Sequence, residues 1–214
     1  MIDLLPQEIE YYCEEHTTGE NELLYRLYRE THIKGLRPRM LSGKLQGSLL
    51  AFISRMLQPR RILEIGTYTG YATLCLAEGL QEDGSIDTIE IDEEQEEIIR
   101  RYFDQSPFRN KINLHIGSAL DIIPNLSHTW DLVMIDADKR EYLDYYRFIL
   151  PEVRKNGIIL VDNVLWSGKV VEEIRNNDKD TKSITDFNDF VRQDPSVRNL
   201  LLPFRDGLMI IEKL

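Results

Sequence analysis

Apolar positions along this chain keep a helical spacing as far as Pro59, then switch to short strand-like runs alternating with helical faces. From about Leu5 to Ile33 the pattern predicts two amphipathic helices, with Leu23, Leu24, Leu27 and Tyr28 on one face at three-and-four spacing. The junction Lys34–Lys44 breaks the pattern with Gly35, Pro38 and Gly43. Ser42 is placed to cap a third helix running through Leu49, Leu50, Ile53 and Met56 to Pro59. Beyond Arg60, strands are predicted near 61–66, 86–91, 112–116, 131–136 and 157–162, with helical patterns over 70–80, 93–104, 118–125 and 139–152. A polar helical region follows Asn163 to about Arg192. Two last strands, Val197–Phe204 and Leu208–Lys213, flank Arg205-Asp206-Gly207, whose Asp-Gly pair marks a hairpin, so the last strand is expected antiparallel at one side of the sheet. This alternation predicts an α/β fold with a doubly wound, mostly parallel seven-stranded sheet. One domain is expected, with a helical cap over 1–58 and the α/β core over 59–214.

The first strand and the turn after it, Arg61 to Ala77, carry the first chemical signal. Ile62, Leu63 and Ile65 read as a buried parallel strand, and Leu74, Leu76 and Ala77 as a helix packed back on it. Glu64 lies at the strand end, and Gly66 and Gly70 sit in the turn, where the missing Cβ lets the backbone bend and a ligand approach. A dinucleotide fingerprint would need a second glycine to admit a pyrophosphate, and Tyr68 stands there instead. The turn therefore suits a nucleoside without phosphates. S-adenosylmethionine is such a ligand, and its positive sulfonium gains from acidic neighbours.

Ligands in an open parallel sheet bind beyond the carboxyl ends of the strands, and here those ends carry Glu64/Gly66, Glu90, Ser118, Asp136 and Asp162/Asn163. Glu90, about twenty residues past the glycine turn, is where a carboxylate grips a ribose diol. Asp136 and the pair Asp162-Asn163 close two strands that lie about 4.8 Å apart if adjacent. Two carboxylates and an amide suit Mg²⁺ rather than zinc, although two unrelated turn-forming residues would read the same way. Asp138 with Glu141 three residues on fits a capping box. Lys139, in the first turn of a helix, opposes the macrodipole, and a metal beside it would favour loss of its proton, as a general base requires. A solvated surface lysine is an equal reading of that residue alone.

Composition narrows the partners. The 214 residues carry a formal net charge of -11, which disfavours nonspecific nucleic-acid or anionic-membrane binding. Basic residues do collect at Lys34, Arg37, Arg39 and Lys44, open to an anionic part of a substrate or to plain solvation. Gly43-Lys44 lacks the Ser or Thr of a phosphate loop, with Leu45 in its place, and is rejected as one. Cys13 and Cys75 form no disulfide framework, which fits a reducing cytoplasm, and Cys75 reads as a buried thiol. The opening residues have neither a basic region nor a long apolar run, so no signal peptide and no membrane span are expected. His16, His32, His115 and His128 show no ligand or triad spacing.

Taken together, Pro38-Arg-Met-Leu-Ser-Gly, Glu64-Ile-Gly-Thr-Tyr-Thr-Gly-Tyr, Asp121-Ile-Ile-Pro, Asp136-Ala-Asp-Lys, Asp162-Asn-Val-Leu-Trp-Ser-Gly, Phe187-Asn and Leu202-Pro-Phe-Arg-Asp-Gly-Leu resemble the cation-dependent O-methyltransferases, the catechol and caffeoyl-CoA class, in its bacterial branch. The resemblance implies that Asp136, Asp162 and Asn163 hold a divalent cation and that Lys139 is the base. It implies Glu90 at the ribose, Ser118 and Ala119 by the adenine, and Ser42, Glu64 and Gly66 at the methionine end. Met40 would approach the reacting centre and Trp166 would wall the acceptor pocket. Ala72 stands where the family often has a serine on the cofactor carboxylate, with Thr73 the nearest substitute. Relatives are commonly dimers, which implies a homodimer. The expected reaction is Mg²⁺-dependent methyl transfer to a hydroxyl of a catechol-like small phenol. A hydroxylated tRNA uridine stays open as acceptor, as do an NAD-type oxidoreductase and a non-catalytic nucleoside-binding module.

Overall fold

The computed structural model describes residues 6–34, 37–126, 128–175 and 177–214. The expectations that rest on Met1–Leu5 and on Gly35 lie outside the described residues. Three helices precede the sheet: α1 (Gln7–Glu15), α2 (Glu22–Lys34) and α3 (Gly43–Leu57). There follow β1 (Arg61–Ile65), α4 (Tyr71–Ala77), β2 (Ser85–Glu90), α5 (Glu96–Gln105), β3 (Ile112–Ile116), α6 (Ala119–Ile122), β4 (Trp130–Ile135), α7 (Tyr142–Ile149), β5 (Val153–Asp162), α8 (Lys179–Gln193), β6 (Val197–Leu202) and β7 (Leu208–Lys213).

Among the described residues seven strands form one sheet in the order β3-β2-β1-β4-β5-β7-β6. The first five run parallel, and β7 lies antiparallel between β5 and β6. The last strand is therefore inserted, and β6 takes the edge. Alternation along β1 splits the core in two. Leu63 and Ile65 face Tyr142, Tyr146 and Phe187, whereas Ile62 faces Leu50, Tyr71, Leu76 and Phe103 on the side of α3 and α4. Phe187 is fully buried and meets Tyr142 and Tyr146 edge-on, with ring centroids 5.7 and 6.0 Å away.

Several boundaries differ from expectation for local reasons. β5 begins at Val153 rather than 157, because Arg154 holds Asp131 of β4 while that carboxylate also accepts the Arg60 and Arg61 N–H groups at 2.8 Å. Helices α5 and α7 begin three residues late, each entered through a 3-10 turn whose first amides are met by a local aspartate, Asp92 or Asp138. The helical region after Asn163 is a 3-10 segment, Trp166–Val171, then α8 from Lys179. Ser42 precedes α3 but makes no side-chain cap. The buried face of α3 runs through Gln46, Gly47, Leu50, Ala51 and Ser54, while Met56 is 74% exposed. No described helix is long and apolar enough to cross a membrane.

Candidate active site

The strand order reverses between β1 and β4, where the connections leave to opposite sides and open a crevice beyond the strand ends. A cavity of about 970 Å³ lies there. Met40, Ser42, Glu64, Gly66, Tyr68, Glu90, Ala119, Asp136, Lys139, Asp162, Asn163 and Trp166 all line it. Ser118 and Gly70 themselves do not, although Gly117 beside Ser118 does. Ser118 immediately precedes α6 and makes no side-chain cap there. Gly70 is required by packing instead: at φ +90° it opens α4, and an added Cβ would stand 2.5 Å from Phe103 Cε1. Gly66 serves the site directly. Its φ is +96°, and a Cβ there would collide with the carbonyl of Asp136. The bare backbone of the first turn thus closes against the tip of β4, where Asp136 N–H donates to Ile65 O at 2.8 Å.

Two carboxylates, Glu64 and Glu90, lie on the cavity wall near the first turn. Glu90 accepts the Tyr68 N–H at 2.6 Å on one oxygen and the Asp92 N–H at 2.9 Å on the other, and burial pushes its carboxyl up. Tyr68 holds φ +52°, a left-handed turn that delivers its amide to Glu90. Glu64 is fully buried. Its Oε2 accepts the hydroxyls of Thr73 and Thr88, its Oε1 has no partner among the described residues, and burial pushes the carboxyl up to about 8. Thr73 is likewise fully buried and donates its hydroxyl to Glu64, while Ala72 lines the cavity wall.

The tips of β4 and β5 form the second half. Lys139 Nζ donates to Asp136 Oδ1 at 2.9 Å and to the Tyr142 hydroxyl at 2.7 Å, and that hydroxyl donates to Asp162 O at 3.0 Å. Asp162 is 5% exposed, and burial together with the charge of Asp136 pushes its carboxyl up to about 6. Its Oδ1 accepts the Asn163 N–H at 2.8 Å and its Oδ2 the Gln46 amide at 2.7 Å. Among the described residues no three of His, Cys, Asp and Glu gather as a metal cluster. A cation here would rest on Asp136, Asp162 and the Asn163 amide. The fit is chemical: two neighbouring carboxylates share a partly buried wall, and hard oxygen donors suit a hard divalent ion. Trp166 and Ser167 follow at φ +49° and +55°, and the buried indole Nε1 of Trp166 lacks a partner among the described residues.

Other expectations resolve on the same geometry. Asp138 caps by accepting the Arg140 N–H at 3.0 Å, but no capping box forms, because the Glu141 carboxylate takes the Tyr145 hydroxyl. The basic patch disperses: Lys34 pairs with Glu30 at 2.9 Å and Lys44 donates to Glu14 O, leaving Arg37 and Arg39 exposed on the cavity rim. No histidine lines the cavity; His16 and His32 bond their own helices and His115 pairs with Asp87. Cys75 is buried, and burial pushes its thiol up. Sequence reading missed Tyr142, Gln46 and Arg205. Only Tyr142 had a signal, three residues beyond Lys139 on the same helical face.

The profile of the O-methyltransferase family matches residues 14–214. The chain is 33% identical over 174 residues to catechol O-methyltransferase domain-containing protein 1 of Mus musculus, spanning 79% of this chain and 66% of that protein. Over 208 residues it is 29% identical to "Probable caffeoyl-CoA O-methyltransferase 2" of Dictyostelium discoideum, spanning 95% and 90% of the two. Among solved structures it is similar to the O-methyltransferase TomG from Streptomyces achromogenes in complex with SAM, with TM-score 0.87, 26% identity and 96% of each chain covered.

Proposed function

This chain belongs to the O-methyltransferase family and is an S-adenosylmethionine-dependent O-methyltransferase, and we propose that its acceptor is a catechol-like vicinal diol handled with the aid of a divalent cation, most simply Mg²⁺. The observation that carries the proposal is the juxtaposition of Asp136, Lys139 and buried Asp162 on one wall of the cavity. Asp136, Asp162 and Asn163 would hold the cation. When bound, it would supply Lewis acidity that makes an acceptor hydroxyl easier to deprotonate.

The residues of the chain do the rest. Glu90 holds the ribose hydroxyls on the lone pairs that the Tyr68 and Asp92 amides leave free. In this reading Ser42, Glu64 and the Gly66 turn flank the methionine end, Ser118 and Ala119 lie by the adenine, and Met40 and Trp166 bound the reacting centre. Lys139, once neutral, takes the hydroxyl proton at Nζ while the acceptor oxygen bonds the methyl carbon and the methyl–sulfur bond breaks, leaving a neutral thioether. Asp136 and the Tyr142 hydroxyl keep that Nζ in place. Fixed orientation of two reactants supplies much of the rate. A hydroxylated tRNA uridine is the second reading, favoured by Arg37 and Arg39 on the rim.

Radiolabelled methyl transfer to a catechol panel tests the proposal. Transfer is expected to stop with EDTA and return with Mg²⁺. Lys139→Met is expected to lower kcat by about 10²- to 10⁴-fold while S-adenosylhomocysteine still binds. Transfer indifferent to EDTA and to Asp136→Asn would overturn it.

A further inference from the structure

Gln46 and Arg205 form a hydrogen-bonded chain that ends on Asp162. Gln46 lies in the first turn of α3, 1% exposed, and its Nε2 donates to Asp162 Oδ2 at 2.7 Å. Its Oε1 accepts from the Arg205 guanidinium, which also donates to the carbonyls of Ser42 and Leu41. Arginine has only donors, so the amide oxygen must face Arg205 and the amide NH₂ must face Asp162. The charge on Arg205 thereby dictates which end of the amide Asp162 meets.

The backbone is bent to achieve this. Arg205 sits at φ +49° in the β6–β7 hairpin. That hairpin is docked on the loop after β5, with Leu165 N–H on Asp206 O at 2.9 Å, Val164 N–H on Gly207 O at 3.2 Å and Ser167 N–H on the Asp206 carboxylate. Left-handed backbone at a non-glycine residue persists where its surroundings over-determine it, and often where it serves a site. The neutral amide between the two charges has a chemical consequence. A direct Arg205–Asp162 pair would tend to be bidentate, occupying both carboxylate oxygens and placing a fixed positive charge against any cation. With Gln46 between them, each oxygen of Asp162 carries one hydrogen bond, from Gln46 or from Asn163 N–H, and keeps a lone pair free.

We infer that Gln46 and Arg205 are positioning residues that set the orientation in which Asp162 presents its carboxylate to a divalent cation, Arg205 acting through the Gln46 amide. The inference rests on the reading of Asp162 as a cation ligand. The test is Mn²⁺ binding to the full-length protein, followed by the electron paramagnetic resonance of free Mn²⁺ with S-adenosylhomocysteine present. Asp162→Asn is expected to abolish binding. Gln46→Met, which keeps the volume and removes the donor, is expected to weaken it about 10- to 100-fold without changing S-adenosylhomocysteine affinity. The Mg²⁺ concentration for half-maximal methyl transfer should rise by the same factor. Arg205→Lys should retain more Mn²⁺ affinity than Arg205→Met, because an ammonium still donates to the amide oxygen.

Wild-type and Asp162→Asn proteins binding Mn²⁺ alike would overturn the cation reading and the inference with it. Loss in Asp162→Asn with Gln46→Met equal to wild type would overturn the inference alone. Should thermal melts show Gln46→Met unfolded, the Arg205 pair decides, and equal Mn²⁺ affinity in both Arg205 variants and wild type would overturn it.

Discussion

Single residues at the centre of this site are constrained by what they touch. Gly66 cannot acquire a Cβ without striking the Asp136 carbonyl, and its φ of +96° disfavours any side chain. Gly66→Ala should cost about 2–3 kcal/mol in urea unfolding and weaken S-adenosylhomocysteine binding. Gly19→Ala, with nothing within 4 Å of the new Cβ, should change stability by less than about 0.5 kcal/mol. Glu64 offers a test by pH. Its carboxyl stands at about 8 in the folded protein against an ordinary 4.5, because burial penalises the charged form. Between those values the folded chain keeps a proton that the unfolded chain releases. Stability from this group is therefore full below about 4.5 and is lost as pH rises through about 8. Urea midpoints of ligand-free protein should fall over that window in wild type and fall less in Glu64→Gln. Parallel profiles would show that Glu64 is already ionised. Glu64 was legible as a site residue from its place at a strand end. Its isolation was not, since Thr73 and Thr88 reach it from two other elements.

At the scale of elements, the apolar runs Leu132–Ile135, Ile158–Val161 and Leu208–Ile211 lie inside strands as expected, because strands in the middle of a sheet covered on both faces leave little choice of residue. Polar positions told less. Arg154-Lys155-Asn156 extends β5 only because β4 and Asp131 lie beside it. Helix starts shifted to 3-10 turns whose first amides are met by Asp92 and Asp138, and the capping box failed because Glu141 accepts the Tyr145 hydroxyl instead of a backbone N–H. Packing of α8 bears on the chemistry. Phe187 supports the ring of Tyr142, whose hydroxyl ties Lys139 to Asp162 O. Phe187→Ala should destabilise by about 3–5 kcal/mol in thermal unfolding and lower kcat more than it changes S-adenosylhomocysteine affinity. An unchanged kcat would separate the aromatic packing from the site.

For the whole molecule, charge and topology set the outer limits. With a formal net charge of -11 and only Arg37 and Arg39 left free of the expected patch to line the rim, transfer RNA should give no gel-shift complex at 0.15 M salt and micromolar protein, since phosphate contacts dominate such affinity. A salt-sensitive complex would instead favour the uridine reading. Residue order alone determined the strand–helix alternation, the acids at the strand tips and the bent, phosphate-free first turn, because each depends on near neighbours in the chain. The tertiary structure decided which tips meet. It inserted β7 between β5 and β6, and brought Gln46 to Asp162 across 116 residues and Arg205 to Gln46 across 159. Contacts of that span leave no periodic trace, since they exist only once the sheet has closed its layers around them.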